Sequence, residues 1–428
     1  MPWYKLPHTE IVMWFQYEMD LEPAGTPPPP ALPLATCGML NVSEFGATGS
    51  GWHDDTTHIQ AALDACASEG GTVVAPPGRF LISAPILVPS GVNLWGAGMD
   101  FSASLQGTTF LCGTADATIR FGELGIANGN TGGLSGNFNI DGDGAADVGL
   151  SIGLSVSRSY QSIQSHAAAV GVLVEQAQNN SFANIQADTS SVSGFILDKG
   201  CAANVFTKCN VSGYGAHGIH IRQTGDNEAG LPVVPSHNTF YGNIFEWGLV
   251  TADAVLYHGA GLSNAFVDSQ FSPGNDCPNT PVVKMVYDEG VEQCVNLRLV
   301  RGIVNGDSNV VPLVDGIDVG PNCMMQLAGV NIHNCRYAFI PGAGSVIESD
   351  SPLYSGHYEL AADLSAANAA ITKTMYLTGG ANVLGCVGTP EGAVVANPGS
   401  LCLRSDGGAG TSLYVKQSGA GNTGWVGK

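Results

Sequence analysis

The sequence predicts an all-β solenoid of stacked parallel strands, entered by one capping helix and closed by a small β-rich C-terminal module. Three observations carry this expectation: a recurring Asn-x-Phe unit, a composition rich in glycine and poor in charge, and a single amphipathic stretch near the start of the repeats. Of 428 residues, 58 are glycine and only 12% are charged. An average domain carries about 7% glycine and about 25% charged residues, so many tight turns are expected and a helical bundle is not. Hydrophobic residues make up 44% of the chain, enough for a continuous core.

Four zones follow in order. Residues 1–23 are an apolar arm bearing Trp3, Tyr4, Trp14, Phe15 and Tyr17. Residues 24–36, AGTPPPPALPLAT, form a proline-rich and semi-rigid linker. Residues 37–345 carry the repeats, and 346–428 are the C-terminal module. A short apolar arm on a stiff leash suits an anchor in a larger assembly. Glu10 and Glu18 interrupt the arm, so it does not read as a secretory signal. The sequence holds no run of about 18 apolar residues, and membrane insertion is not expected.

The one clear helix begins after Asp54. Ile59, Ala62, Leu63 and Cys66 recur on one helical face. Asp54, Asp55 and Thr56 are expected to supply N-cap oxygens, and Gly70-Gly71 to end the helix. Strands are expected over Thr72–Ala75, Phe80–Ser83 and Ile86–Val88. Between the first two, Pro76-Pro77-Gly78-Arg79 fits a type II turn.

The repeat units are Asn180-x-Phe182, Asn204-x-Phe206, Asn238-x-Phe240 and Asn264-x-Phe266, spaced by 24, 34 and 26 residues. Seven residues past each Asn stands Ala187, Val211, Phe245 or Phe271. Second apolar runs follow at 194–200, 218–223, 254–259 and 282–290. Weaker copies lie at Tyr160 and near Cys294 and Cys323. Such a period with short strands denotes a solenoid, and asparagines stacked at turns can hydrogen-bond along the column. Variable spacing puts insertions in turns, the largest candidate being Thr224–Ser236.

Residues 41–98 contain Phe45-Gly46-Ala47, Asp54-Asp55-Thr56, Ile59-Gln60-Ala61-Ala62 and Pro76-Pro77-Gly78. This segment resembles the entry of the pectate-lyase-like right-handed parallel β-helix family, found in phage tailspikes and polysaccharide-degrading enzymes. It departs from that pattern at Ser50 and His53, where Asp and Thr or Ser are usual. Residues 392–428, with Pro398-Gly399-Ser400, the strand Ser412–Lys416 and Asn422-Thr423-Gly424-Trp425, resemble terminal segments of virion appendage proteins. The two resemblances imply a homotrimeric virion spike; the apolar arm of residues 1–23 is the expected anchor to baseplate, tail or head proteins, and assembly in a host cytoplasm is expected.

Net charge is −21, with only 15 basic residues, so nucleic acid is not an expected partner. The eleven cysteines read as reduced core residues, since most sit in apolar stretches and no CxxC pair occurs. No metal or cofactor is expected; Asp141-Gly142-Asp143-Gly144 lacks the distal ligand of a calcium loop and reads as a turn. Glycan cleavage requires paired carboxylates. Eight residues past each Asn stand Asp188, Ser212, Glu246 and Ser272, which puts Asp188 and Glu246 two rungs apart, roughly 9–10 Å. They are the candidate catalytic pair. His166, one rung below Asp188, and Trp247 are candidate substrate-binding residues. His217 and His220 resemble polygalacturonase elements only faintly, without the accompanying Asp-Asp. The expected function is attachment to a host surface polysaccharide. The alternatives are a tailspike depolymerase, as glycoside hydrolase or polysaccharide lyase, and a purely structural appendage.

Overall fold

The computed structural model describes residues 38–99, 107–122, 130–224, 234–248, 252–259, 261–273, 281–286, 296–306, 314–342, 345–349, 353–355, 360–362, 375–376 and 382–428. The arm, the linker, the segment around Cys294 and most of the loop Thr224–Ser236 lie outside them. The chain folds as a right-handed parallel β-helix. Its strands form a 21-stranded and an 11-stranded sheet, almost wholly by parallel pairing one rung to the next.

The Asn-x-Phe unit builds each rung. Asn204 donates its backbone N–H and its Nδ2 to Oδ1 of Asn238, at 3.2 and 2.9 Å. Its own Oδ1 accepts the N–H and Nδ2 of Asn180, both at 3.0 Å. Asn238 and Asn264 repeat the pattern at 3.1 and 3.0 Å. One rung lower, Arg158-x-Tyr160 takes the place of Asn-x-Phe, and Arg158 N–H donates to Asn180 Oδ1 at 2.9 Å. Its guanidinium reaches back to Val92 O and Ser135 Oγ, each at 2.9 Å. At the other end Asn264 Nδ2 meets Nε2 of the buried His258 at 3.3 Å.

The backbone around the ladder bends in the same way in the five rungs from Arg158 to Asn264. The residue before each ladder position is left-handed: Ser157, Asn179, Ala203, His237 and Ser263 have φ of 53–56°. Four residues past the ladder position the chain is left-handed again, at Ser162, Asn184, Lys208, Gly242 and Asp268. Only Gly242 adopts this conformation without steric cost; the others each give up about 1–2 kcal/mol. The stacked hydrogen bonds hold those bends.

Inside the rungs, the rings of Phe182, Phe206, Phe240 and Phe266 stack with centroids 4.5, 4.4 and 4.3 Å apart. Tyr160 extends the stack at 5.1 Å. Ala187, Val211, Phe245 and Phe271 pair rung to rung and are buried. The second apolar runs become Ser193–Asp198, His217–Ile221, Ala254–His258 and Val283–Met285, in register in the 11-stranded sheet.

The entry segment holds the helix Thr56–Cys66, which buries Ile59, Ala62, Leu63 and Cys66 as its periodicity requires. Two local expectations are corrected. Asp55 occupies the cap position but makes no capping bond; its carboxylate turns back to accept Thr48 N–H at 2.8 Å and Gly49 N–H at 3.0 Å. Asp54 does the capping, accepting Thr56 N–H at 3.0 Å and the Ser83 hydroxyl at 2.6 Å. Gly78 is extended, with φ of 158°, and opens the strand Gly78–Ile82 rather than completing a type II turn. Glycine is required there because a Cβ would stand 3.0 Å from Gly49 O.

Parallel pairing continues past residue 345 through Val346–Ser349, Leu353–Ser355 and Leu360–Ala362. A separate five-stranded sheet follows, from Met375–Tyr376 to Trp425–Gly427. Its core is Leu384, Ala396, Cys402 and Trp425. Here the expectation of uniformly reduced cysteines fails. Cys386 and Cys402, on adjacent parallel strands, form a disulfide. Cys112, Cys201 and Cys209 are free and buried, as expected, and Cys66, Cys323 and Cys335 are buried as well.

Asn204→Ala removes the acceptor of Asn180 and the donor to Asn238 and Ala177 within a buried column. It is expected to destabilise the protein by about 3 kcal/mol, since unsatisfied buried groups cost about 1–3 kcal/mol each. Urea denaturation of both proteins measures it; an unchanged midpoint would remove the ladder from its structural role.

Candidate functional site

In a strand, neighbouring side chains point to opposite faces. The buried residue seven past each ladder position therefore leaves positions six and eight facing outward. Position eight places His166, Asp188, Ser212, Glu246 and Ser272 in one column, each paired in register with the next. Asp141 joins the column below His166. Position six aligns Gln164, Gln186, Asn210, Ile244 and Gln270 alongside. Together these two columns line a surface groove of about 230 Å³, walled by Gln164, Gln186, Asp188, Asn210, Ser212 and Glu246.

The structure thus brings Asp188, Glu246 and His166 together as the repeat register implies. His166 Nδ1 lies 3.3 Å from Asp188 Oδ2, and Thr189 Oγ1 donates to Asp188 Oδ1 at 3.2 Å. Ser212 separates Asp188 from Glu246, so the two carboxylates are two rung spacings apart, about 9–10 Å. Trp247 follows Glu246 in the strand Ile244–Gly248, but its side chain lies outside the described residues. Asp141 is bridged to Arg79 at 3.3 Å, and Asp143 N–H closes a turn on Asp141 Oδ1 at 3.1 Å. Gln164, Gln186 and Asn210 were not singled out in the sequence, although counting six past each ladder position finds them.

The 11-stranded sheet carries a second polar column: His220, Tyr257, Lys284 and Asp318 pair in register. His217 packs its ring 4.5 Å from His220 and 4.7 Å from Tyr257. Asp253 binds Lys284 Nζ at 2.9 Å and faces His217 Nε2 at 3.7 Å. Burial, with the neighbouring His217 and Arg222, pushes the His220 imidazole down to about 3. Burial also lowers His217 and takes His258 down to about 4. Asp318 is raised by burial, against the pull of Lys284. His217 and His220 are neutral fillers of a packed polar column at neutral pH, and the Asp253–Lys284 ion pair beside them is already satisfied.

Comparison with known proteins places these columns in context. Residues 39–258, roughly half of the chain, match the family model described as rhamnogalacturonase A/epimerase, pectate lyase-like. Over 67 residues the chain is 46% identical to mannuronan C5-epimerase AlgE4 of Azotobacter vinelandii, a stretch covering 14% of this chain and 12% of that protein. The chain therefore spans only a small part of the curated relatives it matches. The solved AlgE4 A-module superposes with a TM-score of 0.52 at 15% identity, covering 76% of this chain and all of that one. ORF18 of Geobacillus virus E2 gives 0.50 at 16% identity, covering 76% and 61%. At such identities the likeness is one of fold.

His220 and His258 bind protons in the unfolded chain near the ordinary 6.5 but resist them when folded. A depressed histidine pKa makes the unfolded state bind more protons, so this contribution to stability is complete above pH 6.5 and is lost as pH falls toward about 4 for His258 and about 3 for His220. Thermal-unfolding midpoints are expected to drop across that window, and His220→Gln to flatten the decline. A profile unaltered by the substitution would assign the acid sensitivity to other groups.

Proposed function

Because the chain belongs to the pectate-lyase-like rhamnogalacturonase A/epimerase family, we propose that it binds a surface polysaccharide along the groove of the 21-stranded sheet. The observation that carries the reading is the paired outward columns, which set amides and carboxylates at a regular repeat along a shallow trough. Amide and carboxylate groups suit the donor and acceptor hydroxyls of sugars. The charged residues lining the groove, Asp188 and Glu246, are both acidic, and the whole chain carries −21. A polyanion would be repelled, so a neutral or N-acetylated glycan is the better fit.

In this reading the protein is a receptor-binding spike or fibre on a virion, anchored by residues 1–23 and assembled as a homotrimer. The resemblance of the C-terminal segment to virion appendages supports it. Light scattering on the purified chain tests the assembly against the 44.0 kDa protomer.

A second reading, favoured by the Asp188–Glu246 column, is hydrolysis of the bound glycan. Two rungs correspond to about 9–10 Å, the upper edge of the roughly 6.5–9.5 Å that lets an inverting pair admit water. The experiment is incubation with host capsular polysaccharide and lipopolysaccharide, followed by sizing of the glycan. Retained glycan of unchanged length is the expected result. Gln186→Ala and Asn210→Ala are each expected to weaken retention about fivefold, the equivalent of one hydrogen bond at about 1 kcal/mol. Shortened glycan that depends on Asp188 and Glu246 would replace binding by hydrolysis, and neither retention nor shortening with any candidate host glycan would reject both.

A further inference from the structure

The entry segment carries a second histidine–carboxylate cluster that glycan binding does not use. His53 lies in the strand Ser50–Asp54, Asp55 precedes the helix Thr56–Cys66, and His58 sits in its first turn. One nitrogen from each imidazole and one oxygen of Asp55 all lie within 4.8 Å of one another. His53 Nδ1 is 3.2 Å from Asp55 Oδ1, and the two imidazole rings are 5.5 Å apart. His58 Nδ1 is buried and finds no hydrogen-bond partner among the described residues. That is an unusual state for a buried ring nitrogen.

We infer that His53, Asp55 and His58 bind a first-row divalent cation, zinc foremost, with an outer position left to water. Two imidazoles and a carboxylate are a donor set suited to zinc. Asp55 is fully buried and held by the N–H groups of Thr48 and Gly49. Such supporting bonds orient a ligating carboxylate, and they leave a lone pair on Oδ2. Zinc ligands stand about 2.0–2.2 Å from the ion, so the cluster must tighten. His53, with 47% of its side chain exposed, is free to swing inward.

The helix N-terminus opposes a cation through its dipole, equivalent to about half a charge. The carboxylates of Asp54 and Asp55 outweigh it. The cation ties the entry strand to the capping helix and satisfies the buried nitrogen.

The test uses the full chain after chelator treatment and dialysis. Zinc is titrated by calorimetry, cobalt(II) by visible absorption, and the unfolding midpoint is followed in both cases. One equivalent of zinc, a tetrahedral cobalt spectrum and a raised midpoint are expected. His53→Thr and His58→Asn should each weaken binding by at least about tenfold, the low end of losses seen when a metal site is disturbed. Circular dichroism of the apo variants checks that they fold; His53→Thr, at an exposed position, keeps the test valid if His58→Asn does not. Absence of zinc binding, or binding unchanged by His53→Thr, would overturn the site and leave a simple His–Asp hydrogen bond.

Discussion

The asparagine ladder is the constraint on which the rest of this structure depends. Each rung turns through left-handed backbone, which only Gly242 adopts freely among the residues four past the ladder. Those turns present buried N–H and C=O groups that no strand partner can reach. The side-chain amide supplies both partners at once: Asn204 Oδ1 accepts from the rung below while its Nδ2 donates to Asn238 and to Ala177 O at 2.9 Å. Because the same amide links successive rungs, it sets their register as well as their turns.

Register in turn creates the site. Once Asn180, Asn204, Asn238 and Asn264 are superposed, every residue at a fixed offset falls into a column at the strand spacing of about 4.8 Å. Offset two makes the phenylalanine stack, offset seven the second core row, and offsets six and eight the groove. No loop has to fold to assemble the groove. A surface on a rigid, hydrogen-bonded sheet suits a long repeating ligand, whose own periodicity can run along the columns.

The same stacking places charges where solvent alone would not gather them. On the 11-stranded sheet, Lys284 is packed between Tyr257 and Asp318 and is held by Asp253. His217 and His220 are pressed against Tyr257 by rung contact. Their neutrality is a consequence of packing. His258, in the core, is neutral for a different end: its Nε2 receives the last amide of the ladder.

The sequence by itself determined the rung. The Asn-x-Phe unit, the inward residue at offset seven and the outward one at offset eight were all legible, because a stacked strand repeats its chemistry at a fixed count. Hence Asp188, Glu246 and His166 could be aligned from the text alone. The lower end of the ladder was harder to read, since Arg158 and Tyr160 replace Asn and Phe and only geometry reveals the equivalence. Tertiary structure alone decided the direction of the Asp55 carboxylate, the extended Gly78 and the Cys386–Cys402 pairing. Each depends on a neighbour distant in sequence. The physical reason is common to all three: local pattern dictates which face a residue occupies, whereas the partner it meets there is set by how rungs and strands close against one another.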